Sequence, residues 1–306
     1  MARYLDISPS DTLRCTASLP ASKSISNRAL VISALSKACP RPQNVSDCDD
    51  TRVMVRALTE RPEVIDIMAA GTAMRFLTAY LSVTDGTHTL TGTERMRHRP
   101  IGILVDALRS LGAEVNYAGE EGYPPLRITG HRLAGGPLSM PGHVSSQYIS
   151  ALLMIGPTLT HGLTLHLTGN IVSRPYIDMT LALMRHYGAQ AAWISADTVQ
   201  VLPHPYAPQP YCVENDWSAA SYWYEMVALT PDPDACVTLP GLYADSTQGD
   251  RSVADIFRLL GVSTTFTADG VQLKKDGTHC ADALTLDMVE VPDLAQTVVA
   301  TCIGLG

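Results

Sequence analysis

The chain has 306 residues, 46% of them hydrophobic and 17% charged, with 22 Lys and Arg against 30 Asp and Glu for a formal charge of −8. That is too apolar for a disordered chain, and no run approaches the ~20 apolar residues of a membrane helix. The opening, MARYLDISPSDTL, lacks the basic-then-apolar layout of a signal peptide, and the length suggests about two domains. Seven cysteines (15, 39, 48, 212, 236, 280 and 302) form no CxxC pair, which fits a reducing cytoplasm and leaves no cysteine-based zinc site.

The charge is unevenly placed. Residues 1–185 carry 18 Lys and Arg against 15 Asp and Glu, a net of +3, whereas residues 186–306 carry 4 against 15, a net of −11. A basic first part in an acidic protein points to an anionic small molecule more than to nucleic acid, and the basic residues are mostly Arg, whose fork suits phosphate and carboxylate.

In chain order, the first helical segment is SKSISNRALVISAL from Ser22, followed by DDTRVMVRALTE over 49–60. GTAMRFLTAYL from Gly71 is the next, then a β-like piece, THTLTGT (87–93), and IGILVDALRSLGAEV (101–115). SSQYISALLMI from Ser145, LTLHLTG (163–169) and IDMTLALMRHYGAQA (177–191) repeat that order. DWSAASYWYEMVAL from Asp216, VADIFRLLGVSTT (253–265) and VQLKKDG (271–277) repeat it again, and DLAQTVVATCI begins at Asp293. Two helix types therefore alternate. One opens on small, hydroxyl or acidic residues; the other ends with Arg three residues before Gly, at Arg109/Gly112, Arg185/Gly188 and Arg258/Gly261. The Gly reads as a helix stop and the Arg as a charge at the negative helix end. The unit is strand–helix–strand–helix plus strands, repeating about every 70-odd residues, with a shortened first copy. Four units are complete and a fifth starts at Asp293, so the chain is expected to be truncated at Gly306.

Helix N-termini present unpaired N–H groups and a partial positive charge, which suits phosphate or carboxylate. Around Ser22 the case is stronger, because Lys23, Ser24 and Arg28 add charge and a hydroxyl to one helix start. In TERMRHRPIG (93–102), Arg95, Arg97 and Arg99 alternate and would share one face of an extended piece. No GxxxxGK[ST] occurs, so nothing implies ATP, and aromatic stacking partners for RNA are absent near those arginines. His98, His143 and His166 lack ligand spacing, so no metal is expected.

The segments PASKSISNRAL (20–30), AAGTAMRFL (69–77), ERMRHRPI (94–101), SSQYISALLM (145–154), VSRPYIDMTL (172–181), DWSAASY (216–222) and VPDLAQT (291–297) together resemble the EPSP synthases, 3-phosphoshikimate 1-carboxyvinyltransferases, over essentially the whole chain. The resemblance implies an α/β (α+β) fold, a two-domain inside-out α/β barrel built of βαβαββ repeats. Residues 20–213 would form a first, inserted domain of three repeats. Residues 1–19 and 214–306 would form a second domain, about half present. The implied reaction moves the enolpyruvyl group of phosphoenolpyruvate to the 5-hydroxyl of shikimate 3-phosphate and releases phosphate, in the cytoplasm, with neither metal nor organic cofactor, in a monomer. Carried over by motif, Lys23, Ser24, Arg28, Ser145, Ser146, Gln147, Ser173 and Tyr176 should bind shikimate 3-phosphate. Lys23, Gly71, Arg95 and Gln147 should bind phosphoenolpyruvate, and Asp293 should take the hydroxyl proton, with Lys23 as its catalytic companion.

The sequence departs from the family in three places. Ala69-Ala70 stand where Asn-Ala usually precede GTAMR; the first unit lacks a strand pair; and the family's functional residues beyond the Asp293 motif have no counterpart. On that ground the 306 residues are expected to bind shikimate 3-phosphate weakly and to be essentially inactive. UDP-N-acetylglucosamine enolpyruvyltransferase shares fold and chemistry but carries a reactive Cys before the Arg-rich region, and no Cys lies between Cys48 and Cys212 here. A non-catalytic anion-binding fragment is the alternative from another class.

Overall fold

The computed structural model of the chain describes residues 11–276 and 283–306. Strand β1 (Arg14–Thr16) is followed by helices α1 (Lys23–Leu35) and α2 (Asp49–Glu60), then β2 (Val64–Asp66), α3 (Gly71–Ser82) and β3 (Gly86–Thr91). A single helical turn, α4 (Glu94–Arg97), leads to α5 (Gly102–Ser110), β4 (Glu114–Tyr117) and β5 (Leu126–Gly130). Next come β6 (Gly136–Pro141), α6 (Ser146–Ile155), β7 (Leu163–Thr168), α7 (Arg174–His186), β8 (Ala191–Trp193) and β9 (Thr198–Val201). The last stretch holds α8 (Trp217–Leu229), β10 (Cys236–Pro240), α9 (Val253–Arg258), β11 (Val262–Phe266), β12 (Gly270–Lys275) and α10 (Ala295–Leu305). The described residues form two compact units, Ala21–Val213 and residues 11–20 with Glu214–Gly306.

Three four-stranded sheets share one topology: β2-β3-β5-β4, β6-β7-β9-β8 and β1-β10-β12-β11. In each, the first pair is parallel and the other two are antiparallel. A parallel pair needs a crossover, and α3 and α6 supply it for β2–β3 and β6–β7. In the third sheet the crossover from β1 contains the whole Ala21–Val213 unit before α8 delivers the chain to β10. The repeat read from the sequence is thus βαβαββ.

The two helix types do different work. Helix α3 is apolar around most of its circumference and buries all twelve of its residues; α6 buries nine of ten. Such helices belong inside a unit, where each enclosed Leu or Phe contributes about 1.5–3 kcal/mol. The second type is apolar on one side only, as in α5, where Leu104, Val105, Ala107 and Leu108 are buried. Its stop signals are where the spacing put them: Gly112, Gly188 and Gly261 take φ of +99°, +81° and +80°. The arginine before each Gly lies in the last helical turn, as the spacing put it, and two of the three also reach the strand beyond. Arg109 donates from Nε and Nη2 to the Val115 carbonyl at 2.9 and 2.8 Å, and Arg185 from Nη1 to Ala191 at 3.4 Å. The chain reverses at the Gly, so the returning strand also meets the guanidiniums of Arg109 and Arg185.

In the shortened first repeat, the segment after α1 makes only an isolated parallel bridge, Gln43 to Cys212. Gln43 N–H donates to the Tyr211 carbonyl at 2.8 Å and Val213 N–H to the Gln43 carbonyl at 3.0 Å.

The unit containing Glu214–Gly306 has its own core around Trp217, Tyr224, Phe257 and Leu273. The start of α8 is closed by the unit itself. Asp216 Oδ1 accepts from Ala219 N–H at 3.0 Å, Gln248 Oε1 accepts from Trp217 N–H at 3.2 Å, and the Ser218 hydroxyl donates to Asp250 Oδ2. Asp293 does not cap α10: it sits in the 3₁₀ turn Pro292–Leu294, and the helix proper begins at Ala295. The six described cysteines are free, and Cys280 lies outside the described residues.

Burial raises the Asp250 carboxyl to about 6, against the hydrogen bond from Ser218, with the charges of Asp293 and Asp216 adding to the rise. A carboxyl whose folded pKa exceeds its unfolded value favours folding most when protonated, so its contribution is lost as pH rises from about 4 through about 6. Asp250→Asn cannot ionise. Relative to the parent, its stability should therefore gain about 2 kcal/mol between pH 4.5 and pH 8, read from denaturant melts at the two pH values. An offset identical at both would assign the effect to packing.

Candidate functional site

Within the Ala21–Val213 unit, helices α1, α3 and α6 pack on one another. At the start of α1, Ser22 caps the helix by accepting from Ile25 N–H at 3.4 Å. Lys23 is exposed and Ser24 half-buried, while Arg28, one turn further in, is 1% exposed. Its Nε–H donates to Thr180 Oγ1 at 2.7 Å, Nη1 to the Ser24 carbonyl at 2.9 Å, and Nη2 to Ser150 Oγ at 3.1 Å and the Tyr176 carbonyl at 3.5 Å. The guanidinium also lies 5.3 Å from the centre of the Phe76 ring. Burial lowers its pKa to about 10, partly offset by Tyr176, so it stays charged at neutral pH.

Helix α3 opens differently. Ala70 offers no side-chain cap, and Gly71 follows it. The position a Cβ on Gly71 would take lies 2.6 Å from Nη1 of Arg75 and 2.6 Å from Nη1 of Arg99. Two guanidiniums therefore meet where the backbone is bare. Burial depresses the Arg75 pKa, Tyr148 opposes that, and the Arg99 charge lowers it further. Arg75 Nε is buried with no hydrogen-bond partner, and its guanidinium stands 5.5 Å from the Tyr148 ring centre.

Helix α6 completes the group. Ser145 caps it through Gln147 N–H at 3.3 Å, Ser146 is buried, and Gln147 Nε2 donates to Thr72 Oγ1 on α3 at 3.4 Å. Gln147 Oε1 is buried and unpartnered. The Tyr148 hydroxyl donates to the Pro100 carbonyl at 2.7 Å, anchoring the residue that follows Arg99. Ser173, at the start of α7, holds φ of +54°, an unfavoured conformation for serine of the kind that clusters at binding sites; Tyr176 lies half-buried on the same helix.

The alternating arginines are not on an extended piece. Thr93 caps the one-turn α4 through Met96 N–H at 3.4 Å, and Met96 is buried between them. Arg95 and Arg97 are therefore carried around a helical turn, and Arg99, two residues past it, is the one that reaches Gly71. The sequence assigned Arg95 with Gly71 to phosphoenolpyruvate; the arginine of this segment that stands at Gly71 is Arg99. Arg75 was also missed, although it follows Gly71 by four residues as Arg28 follows Ser24. Asp293 lies exposed in the other unit.

Among the described residues, no ion pair engages Arg28, Arg75 or Arg99, and no group of three or more His, Cys, Asp or Glu side chains could hold a metal. No helix there is long and apolar enough to cross a membrane. Arg28 is desolvated and held by neutral oxygens, Arg75 is buried, and neither pairs with a carboxylate among the described residues, which favours an incoming anion, since leaving a buried charge unpaired is costly.

Comparison with known proteins gives the family. The family model for EPSP synthase (3-phosphoshikimate 1-carboxyvinyltransferase) matches residues 7–61 and 56–304. The 3-phosphoshikimate 1-carboxyvinyltransferase of Bacteroides fragilis is 60% identical over 300 residues, covering 98% of this chain and 72% of the relative. That of Pectobacterium atrosepticum is 36% identical over 326 residues, covering 97% and 74%. The EPSP synthase structure from Acinetobacter baumannii superposes with a TM-score of 0.78 at 20% identity, covering 95% of this chain and 71% of that one, which shows the shared α/β fold. The chain belongs to the EPSP synthase family of transferases, the 3-phosphoshikimate 1-carboxyvinyltransferases of the shikimate pathway.

Proposed function

We propose that the helix starts of α1, α3 and α6 hold the two substrates of the family's reaction, shikimate 3-phosphate and phosphoenolpyruvate. The observation that carries this is the meeting of Arg75 and Arg99 at Gly71, in the same unit as a buried Arg28, with no ion pair engaging any of the three among the described residues. Two phosphates and two carboxylates must be gathered for enolpyruvyl transfer, and each charge-assisted bond contributes about 1.5–3 kcal/mol.

Lys23, Ser24, Arg28, Ser145, Ser146, Gln147, Ser173 and Tyr176 are assigned to shikimate 3-phosphate. Gly71 and Arg99, with Lys23 and Gln147, are assigned to phosphoenolpyruvate; the missing Cβ of Gly71 leaves room for a substrate oxygen between the two guanidiniums. In the reaction the 5-hydroxyl oxygen attacks C2 of phosphoenolpyruvate while C3 takes up a proton. The tetrahedral adduct then loses that methyl proton and phosphate to regenerate the double bond. Asp293 is assigned the hydroxyl proton, a usual role for a carboxylate near an alcohol nucleophile. Fixed guanidiniums stabilise the charge that develops on the departing phosphate. A cytoplasmic location, a monomeric state and independence of metal or cofactor belong to the same proposal.

Because the chain spans 72% of the length of its Bacteroides fragilis relative, the first test is binding rather than turnover. Titration calorimetry should detect shikimate 3-phosphate, and no heat at millimolar ligand would sink the substrate assignment. With that ligand saturating, Arg99→Ala should weaken phosphoenolpyruvate by about 10–100-fold and Arg95→Ala by less than about twofold. Gly71→Ala puts a methyl 2.6 Å from both Nη1 atoms and must displace them. It should weaken phosphoenolpyruvate about tenfold or more while leaving shikimate 3-phosphate nearly unchanged.

A further inference from the structure

We propose that Ser150 and Thr180 are positioning residues of this site, fixing the Arg28 guanidinium between α1, α6 and α7 so that its remaining N–H meets the anionic substrate. The inference rests on the substrate reading above and adds two residues to it. Both side chains are 0% exposed, and neither lies at a helix start where a ligand would touch it.

Proton bookkeeping makes the arrangement unique. The Thr180 hydroxyl donates to the Tyr176 carbonyl at 2.8 Å, four residues back on α7, so its oxygen can only accept elsewhere. It accepts from Arg28 Nε–H at 2.7 Å, and lies 2.8 Å from Ser150 Oγ, whose proton must therefore point at Thr180. Ser150 Oγ in turn accepts from Arg28 Nη2 at 3.1 Å. Every hydroxyl has one direction, and the fork is gripped along its Nε–Nη2 edge. Of the five guanidinium N–H groups, the two on Nη2 serve Ser150 and the Tyr176 carbonyl, and one on Nη1 serves the Ser24 carbonyl. The fifth is also on Nη1, at the end of the fork nearest the helix start. Gripping one edge with neutral oxygens leaves the cation uncompensated and its free donor aimed.

Thr180→Val keeps the shape and deletes the acceptor for Nε–H. Three measurements on the whole chain test the proposal. First, the Arg28 Nε–H proton should be slow to exchange by NMR in the parent, fast in Thr180→Val, and slow again in Thr180→Ser. Second, Thr180→Val and Ser150→Ala should each weaken shikimate 3-phosphate by about tenfold or more, with Thr180→Ser within about threefold of the parent. Third, in an Arg28→Lys background, Thr180→Val should change affinity by less than about twofold, because the threonine acts through the guanidinium. A folded Thr180→Val that binds within twofold of the parent overturns the proposal, as does an undiminished effect in the Arg28→Lys background. If Thr180→Val does not fold, Ser150→Ala and Thr180→Ser carry the same comparison. A parent chain with a protected Arg28 Nε–H that binds no shikimate 3-phosphate overturns the substrate reading instead, and leaves the grip on Arg28 supported.

Discussion

The first unit is organised around a cation with no carboxylate. Moving an ion of this size out of water costs several kcal/mol even after relaxation, and here the return comes from hydroxyl and carbonyl oxygens and one aromatic face. Those partners sit on four different helices: Ser24 on α1, Phe76 on α3, Ser150 on α6, and Tyr176 and Thr180 on α7. The guanidinium can be satisfied only if all four are in register. A lysine could not do this, because a single ammonium lacks the planar fork that spans Thr180, Ser150 and Ser24 together.

The same device recurs one helix on. Arg28 of α1 stands over Phe76 of α3, and Arg75 of α3 stands over Tyr148 of α6. The internal repeat thus extends beyond backbone topology to cation–aromatic contacts that pass from each buried helix to the next. Arg75 differs in one respect that matters for function: its Nε has no partner, whereas that of Arg28 is held by Thr180. One guanidinium is fastened and the other is left with capacity to respond. The second unit does not reuse the device, since the start of α8 is filled by Asp216, Gln248 and Asp250.

What could be read from the sequence was local. Helix starts at Ser22 and Ser145 and stops at Gly112, Gly188 and Gly261 follow from capping chemistry and from the left-handed conformation that glycine adopts freely. The βαβαββ order followed from their spacing. What escaped depended on tertiary contacts. Arg95, Arg97 and Arg99 alternate like a strand, but Thr93 and the buried Met96 wind them into a turn; Thr93 followed three residues later by a buried apolar side chain was the available signal. Asp293 resembles a helix cap, yet Pro292 opens a 3₁₀ turn around it. Ser150 and Thr180 carry no motif at all, since their roles exist only once α6 and α7 lie side by side.

The pairing of β1 with β10 joins Arg14 to Cys236 across the whole of the other unit. The chain therefore cannot finish that sheet until more than two hundred residues have followed the first strand. Contacts of such long sequence separation are slow to form from an open chain, because loop closure is paid before any bond rewards it. The Ala21–Val213 unit, continuous in sequence and with its own core, is free of that delay. Assembly should then run from the inside of the sequence outward. The site-bearing unit forms early, and β1, made before it on the ribosome, is among the last to find its neighbour.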